Sequence, residues 1–221
     1  KTITNKSLYY NVLEDKMLDL LVSGGFIMIF IVACALIATY IIFERIFYYL
    51  GLKKKDVYIF DQAKAFAKLK QYDKAAVYCE EQGTPAGKVI AKVFKTRFMS
   101  TGDAKEAVLA ESSRQIPKLE HLLTALGTIA NISTLLGLLG TVTGNIQAFG
   151  VLGSAGSTGD PAMLAGAISK ALITTAAGLA ISIPSVIFYN QFTNHVNKIV
   201  SNLENEVTDI MLIMRGKDTS V

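Results

Sequence analysis

A chain of 221 residues that is 51% hydrophobic and 18% charged, with a mean hydropathy of +0.39, is too apolar for an average soluble domain and too charged to lie wholly in lipid. Membrane spans joined to a water-exposed region satisfy both facts, and the modest net charge of +4 gives no basis for a nucleic-acid binder. The two cysteines, Cys34 and Cys79, show no spacing motif, which argues against a disulfide framework or zinc site and favours free thiols.

The chain opens at Lys1, which reads as a processed, tagged or trimmed start and offers no signal peptide to argue from. Residues 1–19 mix Lys1, Lys6 and Lys16 with Glu14, Asp15 and Asp19, while Leu8, Val12, Leu13 and Met17 recur at helical spacing. This pattern predicts a short amphipathic helix, either at the membrane surface or against a neighbouring subunit. Residues 20–43 form the first predicted span, apolar but for Ser23, Gly24, Gly25 and Thr39 and long enough for a bilayer core of about 20 residues. Glu44 and Arg45 close it, Phe47, Tyr48 and Tyr49 supply an interfacial aromatic belt, and Lys53, Lys54 and Lys55 follow.

Residues 51–120 are soluble in character, with 14 Lys/Arg against 9 Asp/Glu. Acids are interspersed throughout and no binding motif appears, so the bias is that of a cytoplasmic helical domain, not of a nucleic-acid surface. Residues 63–83 read as two helices ended by Gly83, with Pro85 just beyond. Residues 87–99 give a further helix ending near Gly102, with Asp103 as the expected cap of the next. From Asp103 to Gly150 the pattern predicts helix without a stop, kinked at most at Pro117. The second span, 121–152, is expected to project beyond the bilayer, because 122–152 would extend about 46 Å as helix. Residues 153–162, with the run GSAGSTGDP and no Lys or Arg, form a predicted loop. The third span is 163–189, and 190–221 is a polar helical tail. The distribution of basic residues places 51–120 and the tail in the cytoplasm, and therefore the amino terminus and the 153–162 loop outside.

Gly137, Gly140 and Gly144 recur at steps of three and four, making one smooth strip on the second span. In a soluble helix each would cost about 1 kcal/mol against alanine, whereas in a bilayer small residues let helices approach closely. Thr134 and Thr141 share another face. On the third span Ala171, Thr175, Gly178, Ser182 and Ser185 form a small, weakly polar stripe, with Thr174 beside it and Pro184 as an expected bend. Taken singly, each threonine reads as helix packing through its own backbone. Taken together, Thr141, Thr175 and Ser182 read as a polar ion pathway, with Thr134, Thr174 and Lys170 as further lining residues. Lys170 is the only charge well inside an apolar span, and two readings of it stand: snorkelling or pairing with an acid on a partner, or gating and ion selection. No metal-ligand spacing and no phosphate loop occurs. His121 and His195 sit alone at span borders, so neither an enzyme nor a cofactor is expected.

The run from Gly137 to Gly144 (GLLGTVTG) with Phe149, followed by ALITTAAGL at 171–179 and Ile183-Pro184, resembles the MotA/TolQ/ExbB proton-channel family. Three spans with a large loop between the first two resemble its ExbB/TolQ branch and not the four-span flagellar MotA proteins. The resemblance implies an all-α homopentameric ring in the bacterial inner membrane, its second and third spans lining a pore. That pore would hold the single-span helices of two copies of an ExbD/TolR-like partner, which carries the protonatable aspartate, with a TonB- or TolA-like protein further along. The family's two pore threonines map onto Thr141 and Thr175, and ion flow would drive rotation that performs envelope work. Two positions depart from the family pattern: Lys170 stands where glutamate is common, and Thr134 replaces a proline. The added hydroxyls keep sodium as the alternative ion. A non-conducting scaffold and a stand-alone channel are the competing readings, the latter weakened because the stripe contains no acid of its own.

Overall fold

The computed structural model describes residues 25–155 and 161–216. They form six helices and, among the described residues, no strand: α1 Phe26–Lys68, α2 Tyr72–Glu81, α3 Pro85–Lys95, α4 Thr101–Leu119, α5 Leu123–Ala155 and α6 Pro161–Met214. The amphipathic helix expected over 1–19 and residues 156–160 of the predicted 153–162 loop lie outside the described residues, while 153–155 and 161–162 continue the flanking helices. Three helices, α1, α5 and α6, are long and apolar enough to cross a membrane.

Several predicted boundaries move. The first span and the helix after it are one helix of 43 residues, about 65 Å long. Glu44, Arg45 and the lysines at 53–55 mark where apolar side chains end, but they are sound helix formers and do not end the helix. α6 likewise runs 54 residues through Pro184 without interruption. Conversely, the continuous helix predicted from Asp103 breaks at residues 120–122, where Leu122 takes a left-handed φ of 66°. The freed carbonyl of Leu119 accepts a hydrogen bond from the Tyr49 hydroxyl at 2.8 Å and one from Arg45 Nη1 at 3.5 Å. Arg45, expected at a membrane border, is therefore buried and helps to stop a helix distant in sequence. The cap of α4 is Ser100, not Asp103: Ser100 Oγ accepts from the Asp103 N–H at 3.2 Å, and its hydroxyl donates back to the Asp103 carboxylate at 2.7 Å.

The chain divides into two compact units, one of residues 1–41 and 125–189, the other of 42–124 and 190–221. The second resembles an ordinary soluble core. Ile59, Val89, Ile90, Phe94 and Ile210 are fully buried. The α2–α3 turn uses Gly83 at φ +66°, and Thr84 caps α3 by accepting the Gly87 N–H at 3.0 Å. Gly87 itself leaves no room for a Cβ, which would overlap the Cys79 carbonyl. Ion pairs decorate the surface, among them Arg97 with both oxygens of Asp73 at 2.8 and 3.2 Å. Cys79 is a buried free thiol, its pKa pushed up to about 12 by burial. In the first unit the outward surface is apolar instead: Ile29, Leu36, Leu135, Ile146, Leu172 and Ile183 are all exposed. So much exposed aliphatic surface in one unit calls for hydrocarbon or further protein around it.

Candidate functional site

α5 and α6 meet along a seam made of backbone. A Cβ placed on Gly178 would lie 2.5 Å from the Ser133 carbonyl oxygen and 2.9 Å from the Gly137 Cα; one on Gly140 or Gly144 would overlap Thr174 or Ala171. On Gly137 it would stand 3.3 Å from the Thr175 backbone. The glycines predicted for helix packing therefore face the partner helix of the same chain. Within residues 161–189 of α6 the buried positions are Ala171, Thr174, Gly178, Ser182 and Ser185. Thr174, with 1% of its surface exposed, takes the place in the seam that the sequence stripe gives to Thr175. Its hydroxyl donates to the Lys170 carbonyl at 2.9 Å while its methyl covers Gly140.

The polar residues sort onto the two sides of this seam. At about 100° per residue, Thr134 and Thr141 lie on one side of the α5 glycine strip, with Thr175 on the matching side of α6. Thr175 Oγ1 donates across the helix pair to the Gly137 carbonyl at 2.7 Å, and Thr141 Oγ1 donates to the next carbonyl, Leu138, at 2.6 Å. The two hydroxyls expected to work together thus stand over consecutive carbonyls of one turn, both half-exposed. Because each proton is committed to backbone, each oxygen is left to act as an acceptor. Two turns further along α5, Thr134 Oγ1 donates to Ser182 Oγ at 2.7 Å, joining the helices by side chains. Ser133 is completely buried beside this pair, and its hydroxyl has no hydrogen-bond partner.

Lys170 does not join the Thr141–Thr175 side. It lies across the seam with Thr143 and Gln147 of α5, and its Cε and Nζ both pass 3.2 Å from where a Gly25 Cβ would stand. Gly25 has φ +68°, a backbone conformation that favours glycine, and a Cβ there would crowd the end of the Lys170 side chain. Sequence reasoning passed over Thr143, Gln147 and Gly25. The first two were findable, since 140, 143, 144 and 147 share helical spacing with the glycine strip. Gly25 was not, because its meeting with Lys170 is tertiary.

Among the described residues no cluster of His, Cys, Asp and Glu could hold a metal. His195 packs on Tyr49 with ring centroids 5.3 Å apart, and burial with nearby Lys53 and Lys198 holds its pKa below the usual histidine value. Asp56 is 7% exposed, and burial raises its pKa to about 6, opposed by a hydrogen bond from Thr84.

Three helices long and apolar enough to cross a membrane, two of them joined along a hydroxyl-edged glycine seam, define a multi-span α-helical membrane protein. Residues 82–205, more than half of it, match the MotA/TolQ/ExbB proton channel family, and the chain belongs to that family. It is 35% identical to the Tol-Pal system protein TolQ of Haemophilus influenzae over 120 residues, 51% of this chain and 52% of that protein. It is 37% identical to the biopolymer transport protein exbB1 of Vibrio cholerae over 115 residues, 52% of this chain and 49% of that protein. A Synechocystis protein named ExbB-like 3 matches at 24% over 204 residues, 87% of this chain and 92% of that one. Against the TolQ and exbB1 relatives, then, the match spans about half of their length.

Proposed function

We propose that this chain is an ExbB/TolQ-like stator subunit of a motor driven by the proton gradient across the inner membrane. The observation that carries the reading is the pair Thr175 and Thr141, both half-exposed, whose hydroxyl protons are spent on consecutive α5 carbonyls and whose oxygens keep acceptor capacity. Acceptor oxygens alone neither take up nor release a proton in the physiological range, so the carboxyl group must come from a second protein. An ExbD/TolR-like single-span partner with a membrane aspartate supplies it, in two copies. The exposed apolar surface of the spans is covered by other copies of this chain, five in all, and by lipid. Ordinary positive-inside asymmetry puts the amino terminus in the periplasm and residues 51–120 and 190–221 in the cytoplasm. A TonB- or TolA-like protein is the natural recipient of the work.

Protons are favoured over sodium because Thr174, expected to add an oxygen beside Thr175, is buried in the seam. A dehydrated cation would be left with too few ligands from this helix pair. A scaffold reading fails to explain why the two hydroxyls lie over one turn on the exposed side. The test uses a strain whose energy-dependent envelope function relies on this chain. Thr141→Val and Thr175→Val abolish that function while the complex still assembles, and a protonophore abolishes it in the wild type. Full function in both variants, or indifference to the protonophore, overturns the reading.

A further inference from the structure

Lys170 stands at one wall of a cavity of about 270 Å³ enclosed by the first turn of α1, by α5 and by α6. Its aliphatic stem and ammonium lie against Gly25, and Gln147 and Thr143 form the facing wall. Gly140, Gly144 and Thr174, packed together at the seam, complete the lining. None of the ion pairs among the described residues involves Lys170. An ammonium group inside a membrane span with no carboxylate is several kcal/mol unfavourable unless an anion or water meets it. The cavity also supplies the carboxamide donors of Gln147, whereas Thr143 has spent its proton on the Leu139 and Gly140 carbonyls at 3.0 and 3.1 Å. Two donor side chains and a hydroxyl acceptor around one space suit a phosphodiester that carries a hydroxylated headgroup.

We propose that this cavity is a binding site for the phosphate of an anionic phospholipid, with Lys170 as its charged ligand and Gln147 as its second donor. Lipid is favoured over a free anion by what surrounds the mouth. Phe26, 73% exposed, lines the cavity and packs edge-on against Phe30 at 5.0 Å, and Ile29 beside them is also exposed. Acyl chains can lie along that apolar surface, whereas a hydrated anion gains nothing there. The site lies at the α1 first turn, about 13 Å along α6 from Pro161, where a lysine stem carries its ammonium part of the way toward the headgroup layer. It is also across the glycine seam from Thr141 and Thr175, so the lipid is a structural ligand of the three-helix unit and no part of the ion path. The inference rests on the membrane-spanning reading alone; lipid binding here can succeed while the conduction test fails, and the reverse.

The test is titration of the purified intact complex with phosphatidylglycerol, read by native mass spectrometry, with inorganic phosphate as a competing arm. The wild type retains phosphatidylglycerol through detergent washing. Lys170→Gln weakens binding about fivefold to tenfold, Lys170→Arg stays close to wild type, and millimolar phosphate does not displace the lipid. Gln147→Leu, which changes no charge, weakens it about threefold and keeps the test decisive should Lys170→Gln fail to assemble. Equal lipid binding by wild type, Lys170→Gln and Gln147→Leu overturns the proposal. So does displacement of the lipid by phosphate, which would mark the cavity as a free-anion site.

Discussion

In the unit of residues 42–124 and 190–221, Ile90, Phe94 and Ile210 are sealed inside while Arg97, Asp73, Lys95 and Glu80 pair at the surface. In the unit containing residues 25–41 and 125–189 the arrangement is inverted. Its interior contact is glycine backbone with Thr174, Ser182 and Ser185, and its outside is leucine, isoleucine and phenylalanine. Both are bundles of α-helices, so the difference is one of solvent. Water rewards apolar burial, and a helix that gives up side-chain volume for glycine gives up that reward. In hydrocarbon there is no such reward, and close backbone approach with hydroxyl bonds holds helices together. The same residue types therefore carry opposite meanings in the two units: exposed leucines and interior glycines are ordinary in the apolar-surfaced unit and costly in the water-exposed one.

Substitutions that swap the rules between the units should expose this contrast. The largest effect is expected for Phe94→Ala, which empties the centre of the water-exposed core and costs about 3–5 kcal/mol; thermal unfolding of the detergent-purified protein measures it. An equally drastic truncation on the other unit's surface, Leu172→Ala, leaves the midpoint nearly unchanged, because that side chain is exposed. Next comes the seam. Gly178→Val drives a side chain into the Ser133 carbonyl and costs about 3 kcal/mol, lost as assembled complex on size-exclusion chromatography. Gly166→Val, on the same helix but with open space around it, assembles normally.

Asp56 gives a smaller and pH-dependent effect. Its proton is held more tightly in the folded chain, with a pKa of about 6, than in an unfolded chain near 3.8. Folding is therefore favoured by this group at pH below about 4, and the contribution is lost as pH rises towards about 6 and stays absent above. Asp56→Asn removes the slope and stabilises the protein at neutral pH by on the order of 2 kcal/mol, provided Thr84 keeps its bond. Denaturant titrations at several pH values read both. Smallest is Ser100→Ala, which removes the α4 cap at a cost of about 1 kcal/mol.

Much of the membrane unit is legible in the sequence because its signals are local. Gly137, Gly140 and Gly144 announce a close contact through spacing alone, and the apolar runs give three spans. The errors fall where a distant residue decides. Nothing near Leu122 foretells a left-handed turn, since the groups that receive the Leu119 carbonyl, Arg45 and Tyr49, are on another helix. The choice between Thr174 and Thr175 for the seam turns on a rotation of one residue, which periodicity over a short stripe does not resolve. Lys170 was conspicuous as a charge, but the cavity that receives it depends on Gly25, far away in the chain. Charged residues at 44–55 mark a solvent border, and because they are sound helix formers the helix runs on across it.

The central claim is that the hydroxyls of Thr141 and Thr175, and not the Lys170 side of the seam, serve the ion. Proton flux into liposomes holding this chain together with its single-span partner tests it most directly, with Thr175→Ser compared to Thr175→Val. The serine variant keeps an acceptor oxygen over the Gly137 carbonyl and conducts at a rate near the wild type, while the valine variant loses conduction by about a hundredfold for want of one buried hydrogen bond to the ion-bearing group. Undiminished flux through Thr175→Val would contradict the account.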